Sequence, residues 1–405
     1  MARFATRILS ITSSRADVSI LLPVWAALAD RAELHVMCTG MHKKDDGASL
    51  PLLPSNITVH RGGRDLGGAA AGAAAGAMAE IIRDVGSVCE TIDPDIVLVM
   101  GDRLDMLPAA VATVPFNIPL AHLHGGEVTQ GAIDDRLRHC MTKLAHIHFV
   151  SSNAAKSRLI AMGEEPDRIH ITGGPGIDTL VNAPVMTRRS FLNAIGFCDV
   201  VETEFLKLVT VHPETNADDP LAPLDAVLEV LDRRPGPTLF TAPNSDPGGA
   251  DMMARISAFV ADRPWARLVT NLGPQLYPNA MRHADVMLGN SSSGVIEAGI
   301  FGLPVMDIGD RQRGREYGRN VVKAGVDAAS IVAGLDPIMA QRPRFERHSP
   351  YGDGRSGPRI AGLLINLPPR RVLLDKVSVP DVVSTVPAYD ASGFEASNNR
   401  VVEQS

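Results

Sequence analysis

The chain is short of aromatic residues, 4% of its 405 positions, and carries only four cysteines. Cys38, Cys89, Cys140 and Cys198 are widely spaced and form no CxxC pair. That excludes a zinc ribbon or a dithiol motif and leaves small buried hydrophobes or idle thiols of a cytoplasmic protein. There is no basic excess: the formal net charge is −7, so no overall field draws the chain to nucleic acid. No apolar run is long enough to span a bilayer, and residues 8–12 are too short for the core of a secretory leader. What is present is a 45% hydrophobic content rich in Ala, Val, Ile and Leu, in a chain long enough for two or three domains.

The apolar segments alternate in the manner of β/α units. Residues 7–12 read as a strand, 19–28 as a helix and 33–39 as the next strand, the opening of a doubly wound sheet. The stretch 96–135 organises the first half. Its strand 96–100 ends in Gly101-Asp102-Arg103, and its strand 119–122 spills into His124, Gly125, Gly126 and Glu127 before the acidic pair Asp134-Asp135. Open parallel sheets bind ligands at the carboxyl ends of their strands, so chemistry is expected here. A strand at 147–151, a helix at 153–162 and a strand at 169–172 follow, and residues 182–187 look like a hinge. A second alternation places strands at 207–211, 238–241, 267–270, 286–288 and 305–308, with helices at 221–231, 250–260, 275–284 and 294–301. The expected architecture is α/β, with two doubly wound Rossmann-like domains facing a central cleft. Its boundaries are 1–183, 184–349, a helix at 350–367 returning to the first domain, and a loosely ordered tail at 368–405. Within that tail, 372–379 keeps enough apolar alternation to pack as an arm, and the Gly/Ala run at 62–79 reads as a closely packed helix or a mobile lid.

Several polar clusters sit between a strand and a helix. In DVMLGNSSSGVIE (285–297), Ser291, Ser292 and Ser293 bring hydroxyls and free helix amides together as a pyrophosphate cradle, with Glu297 placed for ribose hydroxyls. Asn244 lies in what reads as a tight turn, and a lone His212 at a strand end reads as structural. The loop with Arg311, Arg313 and Arg315 suits bidentate phosphate binding. Asp102, Glu127, Asp134 and Asp135 form an acidic constellation around His124. His122 and His124, with His139, admit a metal site in an extended segment, but nothing fixes a full ligand set, so no metal is expected.

These motifs occur in the order of one family. SSRAD (13–17), GDR (101–103), HLHGGEVTQGAIDDRLRH (122–139), TGGPGID (172–178), HPET (212–215), NSDPGG (244–249), GNSSSGVIEAGIFGLPV (289–305), IGDRQRGRE (308–316) and SPYGDG (349–354) together resemble the hydrolysing UDP-N-acetylglucosamine 2-epimerases. The resemblance spans residues 7–367 and implies a fold like that of GT-B glycosyltransferases, with the sugar nucleotide in the cleft. It also implies that Arg15, Ser19, Arg103, His212, Asn244, Ser291, Ser292, Glu297 and Arg311 hold the nucleotide, and that Asp102, His124 and Asp134 lie at the sugar. It implies no cofactor, and a homo-oligomer, dimer or tetramer. Relatives carry Glu where His124 stands and often Tyr where Val18 stands, so Glu127 becomes a substitute acid or base and the sugar need not be N-acetylglucosamine.

The C2 hydrogen of a nucleotide sugar is barely acidic. A base removes it only as the C1–O bond breaks and positive charge develops, which calls for a diphosphate cradle and anionic groups near the ring. A glycal results; water then adds at C1 and C2 is reprotonated on the opposite face, giving an N-acetylmannosamine-type sugar and UDP. The alternatives are the same chemistry on a GDP-sugar or a UDP-2,4-diacetamido sugar, a GT-B glycosyltransferase, and an inactive nucleotide-sugar-binding protein.

Overall fold

In the computed structural model the described residues are 6–44, 53–64, 71–128, 133–214, 217–244 and 246–377. Residues 65–70 of the Gly/Ala run and the tail from 378 onward lie outside them. The strands of the first half are β1 (Arg7–Thr12), β2 (Glu33–Cys38), β3 (Thr58–Arg61), β4 (Ile96–Met100), β5 (Leu120–Leu123), β6 (Ile147–Val150) and β7 (Ile169–Ile171). They form one sheet in the order β3-β2-β1-β4-β5-β6-β7. The second half adds β8 (Lys207–Thr210), β9 (Thr238–Thr241), β10 (Ala266–Val269), β11 (Val286–Gly289), β12 (Val305–Ile308) and β13 (Val321–Ala324). These pair in the order β10-β9-β8-β11-β12-β13. Every pairing in both sheets is parallel.

Parallel strands carry helices on both faces, so central strands are apolar throughout; all five residues of β4, IVLVM, are buried. Strand order reverses between β1 and β4 in one sheet and between β8 and β11 in the other. A crevice opens at each such switch point, outside the carboxyl ends of the strands. The turn after β4 carries Asp102 and Arg103, and the turn after β11 carries the serine run.

The C-terminal part packs back onto the first half, against a helix that the first half also ties down itself. The helix Ser356–Ile365 buries Ile360, Ala361 and Leu364 in the core beneath the helix Arg15–Leu28. Its first amides, Ser356 N and Gly357 N, donate to the carboxylate of Asp178 at 3.0 and 2.7 Å. Pro23 inside Arg15–Leu28 has no N–H, which leaves the Ser19 carbonyl free to accept from Thr179 Oγ1 at 2.9 Å.

The stretch expected to begin a loose tail at Pro368 starts as a docked strap. Leu373 is buried in the first core, and Arg168 donates to the carbonyls of Leu373 and Asp375 at 2.8 and 2.7 Å. Lys376 donates to the Ala145 carbonyl at 2.6 Å and pairs with the buried Glu164 at 2.6 Å. The physical reason is local: a buried carboxylate and several loop carbonyls require donors, and the strap supplies them. Of the Gly/Ala run, residues from Ala71 onward belong to the long helix Ala71–Ile92. The expected hinge at 182–187 leads directly into the helix Arg188–Ala194.

Candidate active site

A cavity of about 360 Å³ lies where the two switch points face each other. Asp102, Arg103, His124, Glu127 and Arg138 line it from the first half; Ser292, Glu297 and Arg315 line it from the second. Its size suits a small polar ligand.

On the first side, Arg138 is the hub, its side chain only 5% exposed. It comes from the second turn of the helix Ile133–Leu144, close to the acidic pair at that helix's start. Its guanidinium pairs with Asp102, donates to Asp135 Oδ1 at 3.1 Å and to the Glu127 carbonyl at 2.6 Å. Burial raises the Asp102 carboxyl above the usual carboxylate range even though the Arg138 charge opposes the shift. Asp135 is engaged with Arg138 and His139, and Asp134 is near enough to raise Asp102 further by repulsion. Neither Asp134 nor Asp135 is among the residues lining the cavity.

His124 sits in the left-handed region, φ +65°, where a non-glycine residue costs on the order of 1–2 kcal/mol. Its N–H donates to the Phe149 carbonyl at 3.0 Å, which holds the turn in place. Gly126, φ +75°, continues it; a Cβ there would lie 2.4 Å from the Ala155 carbonyl oxygen, so only glycine fits. The result brings His124 Nδ1 to 2.7 Å from Glu127 Oε1. Burial pushes the Glu127 carboxyl up, but the His124 imidazole and its hydrogen bond outweigh that and hold it below the usual range. His122 does not share a face with His124. It is fully buried, donates to the Gly101 carbonyl at 2.8 Å and accepts from Thr142 Oγ1 at 3.3 Å, so the HxH spacing does not bring the two rings together as ligands.

The SSRAD segment is largely a helix cap. Ser14 and Asp17 form a reciprocal capping box, and Asp17 also accepts from Ser13 Oγ at 2.9 Å. Ser13 Oγ in turn accepts from Arg103 Nε at 3.2 Å, which links the turn after β1 to the turn after β4. Arg15 and Ser19 stand on the exposed side of that helix, the Ser19 hydroxyl bonded to the Ala16 carbonyl at 2.8 Å. Val18 faces the core, 3% exposed, and is not among the residues lining the cavity.

On the second side, Asn290 joins β11 to β8: its Oδ1 accepts from His212 N at 2.7 Å and its Nδ2 donates to the His212 carbonyl at 2.8 Å. The lone histidine is therefore held within a built cluster. His212 Nδ1 accepts from Asn244 N at 3.1 Å, and burial with the nearby Arg311 charge pushes the imidazole down to about 4. Asn244 Oδ1 is buried without a partner among the described residues. Arg311 approaches Asp246 at 3.6 Å. The serine run does not present three hydroxyls together. Ser291 caps the short helix Ser292–Ile296, and Ser293 Oγ turns inward to Tyr277 Oη, leaving Ser292 at the cavity. Glu297 ends that helix at the cavity wall, its carboxyl raised to about 7 by burial.

Of the charged residues lining the cavity, Arg315 belongs to the arginine loop read from the sequence, whereas Arg138 is not singled out there. Arg138 follows Asp134 and Asp135 by four and three positions in what becomes one helix, and that spacing was the available signal.

The sequence pattern of the family described as UDP-N-acetylglucosamine 2-epimerase matches residues 26–365. The UDP-N,N'-diacetylbacillosamine 2-epimerase (hydrolyzing) of Legionella pneumophila is 32% identical over 385 residues, covering 91% of this chain and 98% of that protein. The GDP/UDP-N,N'-diacetylbacillosamine 2-epimerase (hydrolyzing) of Campylobacter jejuni is 35% identical over 241 residues, 59% of this chain and 62% of that protein. Among solved structures, the UDP-GlcNAc 2-epimerase of Neisseria meningitidis bound to UDP-GlcNAc is similar with a TM-score of 0.71 at 19% identity, covering 88% of this chain and 98% of that one.

Proposed function

The chain belongs to the UDP-N-acetylglucosamine 2-epimerase family, and from that premise we propose that it is a hydrolysing nucleotide-sugar 2-epimerase acting on a UDP-2-acetamido sugar. The observation that carries this reading is one cavity in which Asp102, His124 and Glu127 face Ser292 and Glu297 across the cleft. Elimination followed by hydration needs both walls: proton-transfer groups on one, and an anion-binding and ribose-binding wall on the other.

In this reading His212, Asn244, Ser291, Ser292 and Arg311 hold the nucleotide and its diphosphate, and Glu297 accepts from the ribose. The neutral His212 ring, its Nδ1 already taken by Asn244 N, has Nε2–H left to donate to a phosphate. Arg15, Ser19 and Arg103 complete the nucleotide side, with Asp134 and Asp135 supporting the sugar-side carboxylates. The C2 proton leaves to a base while the C1–O electron pair departs on UDP. Water then adds at C1, and a second group reprotonates C2 on the other face.

A second reading concerns the sugar. The Legionella and Campylobacter relatives are named for a diacetamido sugar, which favours a substrate with a second acetamido group at C4. Assaying nucleotide release from UDP- and GDP-linked N-acetylglucosamine and 2,4-diacetamido sugars tests both readings. UDP release from at least one is expected, and silence across the panel would remove the enzymatic reading of the cleft.

We place the enzyme in the cytoplasm as a homo-oligomer, dimer or tetramer, supplying a free mannosamine-type sugar for nonulosonates of the sialic-acid kind. The exposed, unpaired thiols of Cys140 and Cys198 favour a reducing compartment. Among the described residues no helix is long and apolar enough to cross a membrane.

A further inference from the structure

Taking the C2 proton calls for a lone pair turned into the cavity and held there. We propose that Nε2 of His124 is the base that removes this proton and that Glu127 is the positioning residue that orients the imidazole; the assignment rests on the 2-epimerase reading of the site. A carboxylate at 2.7 Å from Nδ1 fixes the proton on that nitrogen, which leaves the lone pair of the neutral ring on Nε2. Among the described residues nothing bonds Nε2, and both side chains line the cavity.

The ring has little freedom. The left-handed backbone at His124 is pinned to the Phe149 carbonyl, and a Cβ on Gly174 would stand 3.2 Å from His124 Cε1, so glycine leaves the ring its slot. Glu127 is anchored as well, because its own carbonyl accepts from Arg138 Nη1 at 2.6 Å. The same guanidinium holds Asp102, so one arginine sets the spacing between the two proton-transfer groups.

The transfer balances as follows. The C2–H pair becomes the C1=C2 bond, the C1–O pair leaves on the diphosphate, and the proton rests on His124 Nε2 opposite the Glu127 carboxylate. In hydration, Asp102 passes a solvent proton to C2, and water adds its oxygen to C1. The proton released by that water and the one on His124 return to solvent, one replacing the proton taken up and one in surplus.

The test uses the full chain with a sugar nucleotide that the wild type turns over. Glu127→Gln is expected to lower kcat on the order of a hundredfold with KM within about twofold, and Glu127→Asp to recover part of the loss. His124→Gly suits the positive φ and empties the volume of the ring; it is expected to be inactive and to regain nucleotide release when imidazole is added. UDP binding by calorimetry shows that each variant is folded. A Glu127→Gln enzyme within threefold of wild-type kcat, or a folded His124→Gly enzyme that imidazole leaves silent, would overturn the assignment. Either result in an enzyme whose wild type releases UDP removes the His124–Glu127 roles alone. A wild type that releases no nucleotide removes the 2-epimerase reading itself.

Discussion

Replacing Arg138 with methionine keeps much of the side-chain stem and removes the charge that organises the first wall. Arg138 is 5% exposed and faces the carboxylates of Asp102 and Asp135. At a charge separation of about 4 Å and an effective dielectric of about 20, one such pair is worth about 4 kcal/mol. Some of that returns because the guanidinium no longer has to be desolvated, so a net loss of about 3 kcal/mol is expected, at the low end for a broken buried pair. The sign with pH follows from Asp102. Burial already raises its carboxyl, and without Arg138 it rises further. In the unfolded chain the same carboxyl titrates near about 3.9, so between the two values the folded state binds more protons and stability falls as pH rises. The gap between Arg138→Met and wild type is therefore narrow near about pH 5 and wide near about pH 8, as measured by urea unfolding at both. Equal destabilisation at the two values, or a variant with wild-type turnover, would show that Arg138 does not organise this wall.

Three further outcomes follow from particular contacts. Lys376→Met strands part of the buried charge on Glu164, which among the described residues keeps Lys143 and His148, and is expected to lower stability by about 2 kcal/mol in urea; an unchanged midpoint would mean the strap contributes nothing. Gly126→Ala drives a Cβ into the Ala155 carbonyl at a positive φ, so kcat should drop at least tenfold through the displaced His124–Glu127 turn, and a wild-type rate would show that the turn tolerates movement. Glu297, with its carboxyl raised to about 7 by burial, loses its full acceptor capacity as pH falls through that value. UDP affinity measured by calorimetry should therefore weaken on acidification, and Glu297→Gln should flatten that dependence.

The inner strands were legible because burial on both faces makes them mainly apolar: β1, β4, β9 and β12 begin and end where the sequence pattern places them, and β4, IVLVM, is apolar throughout. β3 and β13 escaped because edge strands need not be apolar; TVHR and VVKA carry polar residues and are largely solvent-facing. The helix Ile133–Leu144 was hidden by charge, since only Leu137, Arg138, Met141 and Thr142 are buried in IDDRLRHCMTKL. Arg138, the hub of the first wall, lies on that helix. Ionisable residues at strand ends, Asp102, His124 and His212 among them, were visible because the doubly wound sheet directs strand termini toward its ligand. Side-chain direction was not: adjacent serines looked equivalent in NSSSG, yet Ser292 lines the cavity while Ser293 bonds Tyr277. Nor could spacing alone reveal that a positive φ would turn His124 away from His122 and onto Glu127.

Sequence, fold and cavity converge on a cleft that breaks C1–O and inverts C2 of a UDP-2-acetamido sugar. The direct measurement is the reaction in deuterium oxide, followed by NMR of the released sugar alongside quantified UDP. UDP and free sugar are expected in equal amounts, with one solvent deuterium at C2 in the mannosamine-type configuration. A released sugar that keeps its original hydrogen and configuration at C2 would contradict that chemistry.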